Sequence, residues 1–153
     1  TGSILAKYEA AFAVIPLLVT FIPMLTDTGG NAGSQSSTMI IRGMAVGEIE
    51  AGDILRVLWK ELRVGVIVGV LLGLVNYIQL VIRFPGQEML CLTVVLSLLA
   101  TVMLAKTIGC VLPIVAQVLH LDPAIMAAPL ITTIVDAVSL IIYFQLACSL
   151  LKI

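Results

Sequence analysis

Asp136 stands in an apolar run, with Thr132 four residues before it, Thr133 three before and Ser139 three after. At helical spacing these share one side. Counted from Pro123, Asp136 lies about 13 residues, or ~20 Å, into that run. An acid at the centre of a membrane helix costs roughly 2.5–3.5 kcal/mol on insertion scales, which makes it a functional candidate by default. A second polar set, residues 27–38, combines Asp27, Asn31 and Gln35 with glycine, serine and threonine. Read as a helix, Gly30, Ser34 and Thr38 form one stripe, and Asn31, Gln35 and Arg42 form the adjacent one. The available donors are carboxylate, hydroxyl, amide and backbone carbonyl. Such hard oxygens suit Mg²⁺ or Ca²⁺ rather than Zn²⁺ or Cu⁺. Mg²⁺ dehydrates reluctantly, so a passage for it needs few direct ligands and many groups that bond its coordinated waters. No Ser/His/Asp set, HExxH or P-loop is present. The glycines of residues 29–33 follow no strand, so a phosphate-cradling loop is unsupported.

The elements that must position these groups follow from composition. The 153 residues are 61% hydrophobic and 11% charged, with net charge -1 and mean hydropathy +1.20. A soluble domain carries about 25% charged residues. The balance excludes an ordinary soluble enzyme, a disordered chain and a coiled coil. With no basic patch, it also excludes a nucleic-acid partner. What remains is an all-α, polytopic transmembrane helix bundle in a lipid bilayer. Spans are expected at about residues 10–42, 64–82, 89–119 and 123–151, forming one transmembrane domain. A β-barrel would show shorter segments of alternating polarity. The polar segment 27–38 is either an external loop or a continuing helix whose polar face lines a water-filled space. The apolar run before it is short for a full span, which favours the second reading. The third span is expected as one long helix, kinked or tilted at Pro113, rather than two short ones.

Half of the lysines and arginines fall in residues 42–63, which places that loop in the cytoplasm and the C-terminus outside. Asp53 is expected to N-cap a helix whose first part, residues 54–63, is amphipathic and carries Trp59 at the interface. Phe84-Pro85-Gly86 reads as an external turn, and Asp122-Pro123 as another helix start. Gly65, Gly69 and Gly73 form a ladder that admits a close helix neighbour, within one chain or between two. Lys106 is the basic residue at a depth comparable with Asp136. It is therefore the candidate partner of that acid, unless it snorkels or meets Asp27. Cys91, Cys110 and Cys148 read as packing residues, and His120 stands alone in a turn. Four spans are too few to enclose a hydrated ion. A homodimer with the pore on its two-fold axis would bring two copies of Asp136 together, and a divalent cation between them would relieve their repulsion.

Two stretches carry a family resemblance. Pro23-Met24-Leu25-Thr26-Asp27-Thr28-Gly29-Gly30-Asn31-Ala32-Gly33-Ser34-Gln35-Ser36-Ser37-Thr38, followed by Ile41-Arg42-Gly43, resembles the pore helix of MgtE-type magnesium channels. Asp122-Pro123-Ala124 and Pro129-Leu130-Ile131-Thr132-Thr133-Ile134-Val135-Asp136, followed by Ile142-Tyr143-Phe144, resembles the family's last helix. Eukaryotic relatives form solute carrier family 41. The resemblance covers essentially the whole chain. It implies a homodimeric channel of five helices per subunit in the bacterial inner membrane, with upstream cytosolic regulatory domains that include paired CBS modules. Thr1 is not a natural start, and residues 1–6 resemble the outer end of the family's first helix. The chain thus reads as a pore domain missing most of that helix and the upstream domains.

By the same resemblance, Asp136 is the central Mg²⁺-binding acid, holding a largely hydrated ion on the dimer axis. Gly30, Asn31 and Thr38 match pore-lining positions, and Thr132 offers a backbone carbonyl to the pore. Ser34 stands where Asn is frequent, and Ala128 where some members have Asn at an inner-pore site. Gln35 and Thr133 join the pore-lining set by their spacing. The expected function is passage of Mg²⁺, and of other divalent cations, without enzymatic activity. A cation-coupled exchanger is the nearest alternative, and a membrane-embedded enzyme or a structural subunit is the more distant one.

Overall fold

The computed structural model describes residues 16–123 and 128–151. A 3-10 turn, Pro16–Phe21, leads into α1, Ile22–Ala45. A short 3-10 turn, Ala51–Asp53, precedes α2, Ile54–Arg83. α3 spans Glu88–Val118 and α4 spans Ala128–Leu151. The chain is thus all-helical in its described residues. α2, α3 and α4 (from Pro129) are long and apolar enough to cross a membrane. The described part of the expected span 10–42 begins at Pro16 and continues as helix to Ala45.

α1 is the polar helix, and it runs unbroken through residues 27–38, so the loop alternative for that segment is wrong. Its glycines each weaken an isolated helix by about 1 kcal/mol relative to alanine. Tertiary packing offsets this, because α1 lies against both α3 and α4. The contacts need small residues. A methyl on Gly29 would meet Thr101 Cγ2 at 2.7 Å and Val135 Cγ1 at 2.9 Å, and one on Gly33 would meet Ile131 Cγ2 at 2.9 Å. A methyl on Gly109 of α3 would run into the backbone carbonyl of Gly33. Backbone cannot yield as a side-chain tip can. Gly109→Ala is therefore expected to lower stability by about 1–3 kcal/mol through overpacking, measured as thermal unfolding in detergent, whereas Gly52→Ala, at a site open to space, leaves it nearly unchanged.

α2 packs chiefly on α3. Gly65, Gly69 and Gly73 face that helix within the chain. A methyl on Gly69 would lie 2.6 Å from Leu99 Cδ1, one on Gly73 3.1 Å from Val95 Cγ1, and one on Gly65 3.4 Å from Lys106 Cδ. α3 is continuous through Pro113, so it is one helix and not two. The proline has no N–H for the Gly109 carbonyl one turn back. The largest core cluster joins Leu18, Leu25, Leu98, Leu140 and Phe144 from the entry turn, α1, α3 and α4. Tyr143 Oη donates to the Leu18 carbonyl at 2.9 Å and pins the entry turn to α4. Cys91 and Cys110 are buried in such clusters as free thiols.

Two local expectations need adjustment. Asp53 does stand at the N-cap position of α2, but its side chain does not cap that helix. Its carboxylate instead accepts the Glu50 backbone N–H at 3.1 Å, closing the preceding turn. Gly86, at φ +83°, completes the Phe84-Pro85-Gly86 turn with a backbone conformation that a side chain would strain. Residues 124–127, which would carry the start predicted at Asp122-Pro123, lie outside the described residues.

Candidate functional site

Successive turns of α1 expose Asp27, Asn31 and Gln35, while Gly29, Gly33, Ser36 and Ser37 are buried on the opposite side. Burial of the small side fixes the rotation of the helix, and that rotation turns the acid and amides outward. α4 meets this stripe at Gly30, where an added methyl would lie 3.2 Å from Thr132 Cγ2. Thr132 therefore approaches the α1 backbone closely, and Asp136 stands one turn further along α4.

Between α1 and α4 lies an open-sided cavity of about 390 Å³ lined by Pro23, Thr26, Asp27, Gly30, Asn31, Thr132 and Asp136. Two carboxylates on different helices thus share one space. Among the described residues, no lysine, arginine or histidine lines it. The hydroxyl protons around it are already committed. Thr132 Oγ1 donates to the Pro129 carbonyl at 3.1 Å, and Thr26 Oγ1 to the Ile22 carbonyl at 3.1 Å. Their oxygens keep lone pairs for an incoming donor. Apart from the amide N–H groups of Asn31, the side chains of the cavity offer hydrogen-bond acceptors and negative charge. That suits a cation or the outward-pointing hydrogens of its bound waters. Six waters at roughly 30 Å³ each occupy about 180 Å³, so a hexahydrated cation fits the volume.

Of the residues singled out in the sequence, Gly30, Asn31, Thr132 and Asp136 meet at this cavity. Ser34, Gln35 and Thr38 continue along α1 beyond it, with Thr38 Oγ1 donating to the Ser34 carbonyl at 2.9 Å. Thr133 is exposed on α4 and also donates to the Pro129 carbonyl, at 2.8 Å. Ala128 begins α4, and its side chain lies outside the described residues. Asp27, Thr26 and Pro23 were not among the expected pore residues. The spacing held the signal, because Asp27 sits one helical turn before Asn31 and Pro23 one turn before Asp27.

The expected partners of Lys106 are wrong. Its ammonium lies 3.2 Å from Glu61 Oε2 of α2, not beside Asp136 or Asp27. It also donates to Ser36 Oγ of α1 at 3.3 Å, and the Ser36 hydroxyl donates to Glu61. All three side chains are buried. Glu61 belongs to the charge-rich stretch 42–63, in the amphipathic helical part expected over residues 54–63. The helix begins at Ile54, so Glu61 is already two turns inside α2 and faces α3. With Lys106 neutralised there, both acids of the cavity are left without a fixed basic partner within 4.0 Å among the described residues.

Comparison with known proteins gives the family. Residues 22–146 match the family described as MgtE, divalent cation transporter. The chain is 35% identical over 152 residues to the magnesium transporter MgtE of Thermus thermophilus, covering 99% of this chain and 33% of that protein. It is 35% identical over 147 residues to the magnesium transporter MgtE of Bacillus subtilis, covering 96% of this chain and 32% of that protein. To the Enterococcus faecalis protein of the same name it is 29% identical over 153 residues. The chain spans about a third of the length of these relatives. The family match takes in α1, α2, α3 and most of α4, including every described residue that lines the cavity, and on it the chain belongs to the MgtE family of divalent cation transporters, as a multi-pass membrane part.

Proposed function

We propose that this chain carries Mg²⁺ across the cell membrane through the space between α1 and α4, closed by a second copy across a two-fold axis. The observation that carries the reading is the carboxylate-lined cavity in which Asp27 and Asp136 have no basic partner among the described residues. Two acids that face a common space in an apolar bundle, with no basic partner among the described residues, are costly unless a cation visits them. Double charge attracts Mg²⁺ about twice as strongly as a monovalent ion at equal distance. The volume admits the ion with its waters, so Asp136 would act on a largely hydrated ion. Ser34, Gln35 and Thr38 would line the path onward along α1, with Thr133 and Ala128 at the facing helix. The open side of the cavity supports a homodimer, since one copy does not enclose the ion. Charge placement supports residues 42–63 in the cytoplasm and the C-terminus outside. The greater length of the relatives supports upstream regulatory domains.

The test is Mg²⁺ uptake by the full-length protein in liposomes, driven by the Mg²⁺ gradient and voltage alone. Uptake is expected without any Na⁺ or H⁺ gradient, and it is expected to vanish in Asp136→Ala. Uptake that requires a Na⁺ or H⁺ gradient would replace the channel by a coupled exchanger. Uptake unchanged in Asp136→Ala would remove the site assignment.

A further inference from the structure

A second charged cavity lies at the other end of α1, beside the N-terminal part of α2. It has a volume of about 670 Å³, and its basic lining residues are Arg42, Arg56, Lys60 and Arg63. Glu48 and Asp53 also line it, as does Glu61, which is neutralised by Lys106. None of the four cations has a carboxylate within 4.0 Å among the described residues. All four are exposed.

Arg56, Lys60 and Arg63 fall at i, i+4 and i+7 of α2, so they form one stripe. The same angular position continues up the helix through Ile67, Leu74 and Ile78, which are 61%, 56% and 61% exposed. The buried side of α2, with Glu61, Gly65, Gly69 and Gly73, is opposite. A cationic patch, not evident in a sequence of net charge -1 and formed only by the helix, thus runs without a break into an apolar lane on a membrane-length helix. Trp59, 63% exposed, flanks the junction, and the Arg63 guanidinium lies 6.0 Å from its ring centroid. Trp is enriched at the level where headgroup meets hydrocarbon. α2 is also the helix set apart from the α1–α4 cavity, since it packs chiefly on α3.

We infer that this face of α2 holds an anionic phospholipid, its phosphate on Arg56, Lys60 and Arg63 and an acyl chain along Ile67, Leu74 and Ile78. The occupant follows from the two chemistries in register. A soluble phosphate would use the cations and leave the lane unexplained, and a second copy of the chain would bring like charges together. A zwitterionic lipid would satisfy the lane but gain little from the cations. Each Lys or Arg near an anionic surface contributes up to about fivefold in affinity.

The test uses the full-length protein in vesicles of phosphatidylcholine containing trace spin-labelled phosphatidylglycerol or spin-labelled phosphatidylcholine, comparing the motionally restricted fraction of each. A preference for phosphatidylglycerol of at least about fivefold is expected. It should fall to near unity in Arg56→Gln/Lys60→Gln/Arg63→Gln and persist in Arg56→Lys/Arg63→Lys. These side chains are exposed, so the variants should unfold at the wild-type temperature. Equal preference in the triple glutamine variant would overturn the proposal. So would a preference abolished by millimolar inorganic phosphate at constant ionic strength, which would assign the patch to a soluble anion. Absence of preference together with Ile67→Cys cross-links between copies would assign the face to an interface instead.

Discussion

Asp136→Asn is expected to reduce Mg²⁺ flux by at least about 100-fold while leaving the bundle folded. The substitution keeps shape and one oxygen but removes the charge and adds an N–H donor. A +2/−1 pair about 5 Å apart, at an effective dielectric near 20, is worth roughly 6–7 kcal/mol, twice the value for a monovalent ion. Even a fraction of that difference exceeds the ~2.7 kcal/mol that corresponds to 100-fold. The residual conductance should also discriminate less between double and single charge. The new amide N–H groups oppose the water hydrogens of a hydrated cation, where the carboxylate had accepted from them. Asp136→Glu keeps the charge one methylene further out, and it should retain part of the flux. Stability is expected to stay level or rise in Asp136→Asn, because the acid has no basic partner to lose among the described residues. Fluorescent-indicator uptake and thermal unfolding, read on the same preparations, separate the two effects. Flux within a factor of two of wild type in Asp136→Asn would exclude a charge-based role for this residue.

Lys106→Met is expected to destabilise the bundle by about 3–5 kcal/mol, the range for leaving one charge of a buried pair uncompensated. Glu61 would remain between α2 and α3 with only the Ser36 hydroxyl as donor. The double variant Glu61→Leu/Lys106→Met removes both charges, and it should recover most of the loss or exceed wild type by about 1–4 kcal/mol. The expected signature is therefore strong non-additivity, read from unfolding in detergent. Additive losses would show that the two residues do not act as a pair. The ion selectivity of the surviving folded fraction should be unchanged, because neither residue lines the α1–α4 cavity. The contrast with Asp136 is informative. One acid is matched by a buried lysine and serves the fold, and the other faces an open cavity with no basic partner among the described residues.

Much of the site could be read from residue types alone. Hydropathy dictated membrane helices because an apolar surface of this extent cannot be covered in water, and each span is a local property of about 20 residues. Asp136 stood out for the same reason: an acid in such a run has a cost that does not depend on its neighbours. The stripes on α1 were legible once a helix was assumed, since periodicity is local. What the sequence left open depended on contacts between distant residues. Whether residues 27–38 are loop or helix was decided by α3 and α4, whose packing against Gly29 and Gly33 holds a segment of poor intrinsic helix propensity. The partner of Lys106 was decided by the rotation of α2, which buries Glu61, a residue whose charge-rich surroundings read as solvent-facing. The joining of Asp27 to Asp136 likewise required the close approach of α1 and α4 at Gly30. Composition and period are summed along the chain and so are visible in it. Pairing is set by which helix faces meet, and only the tertiary structure fixes that.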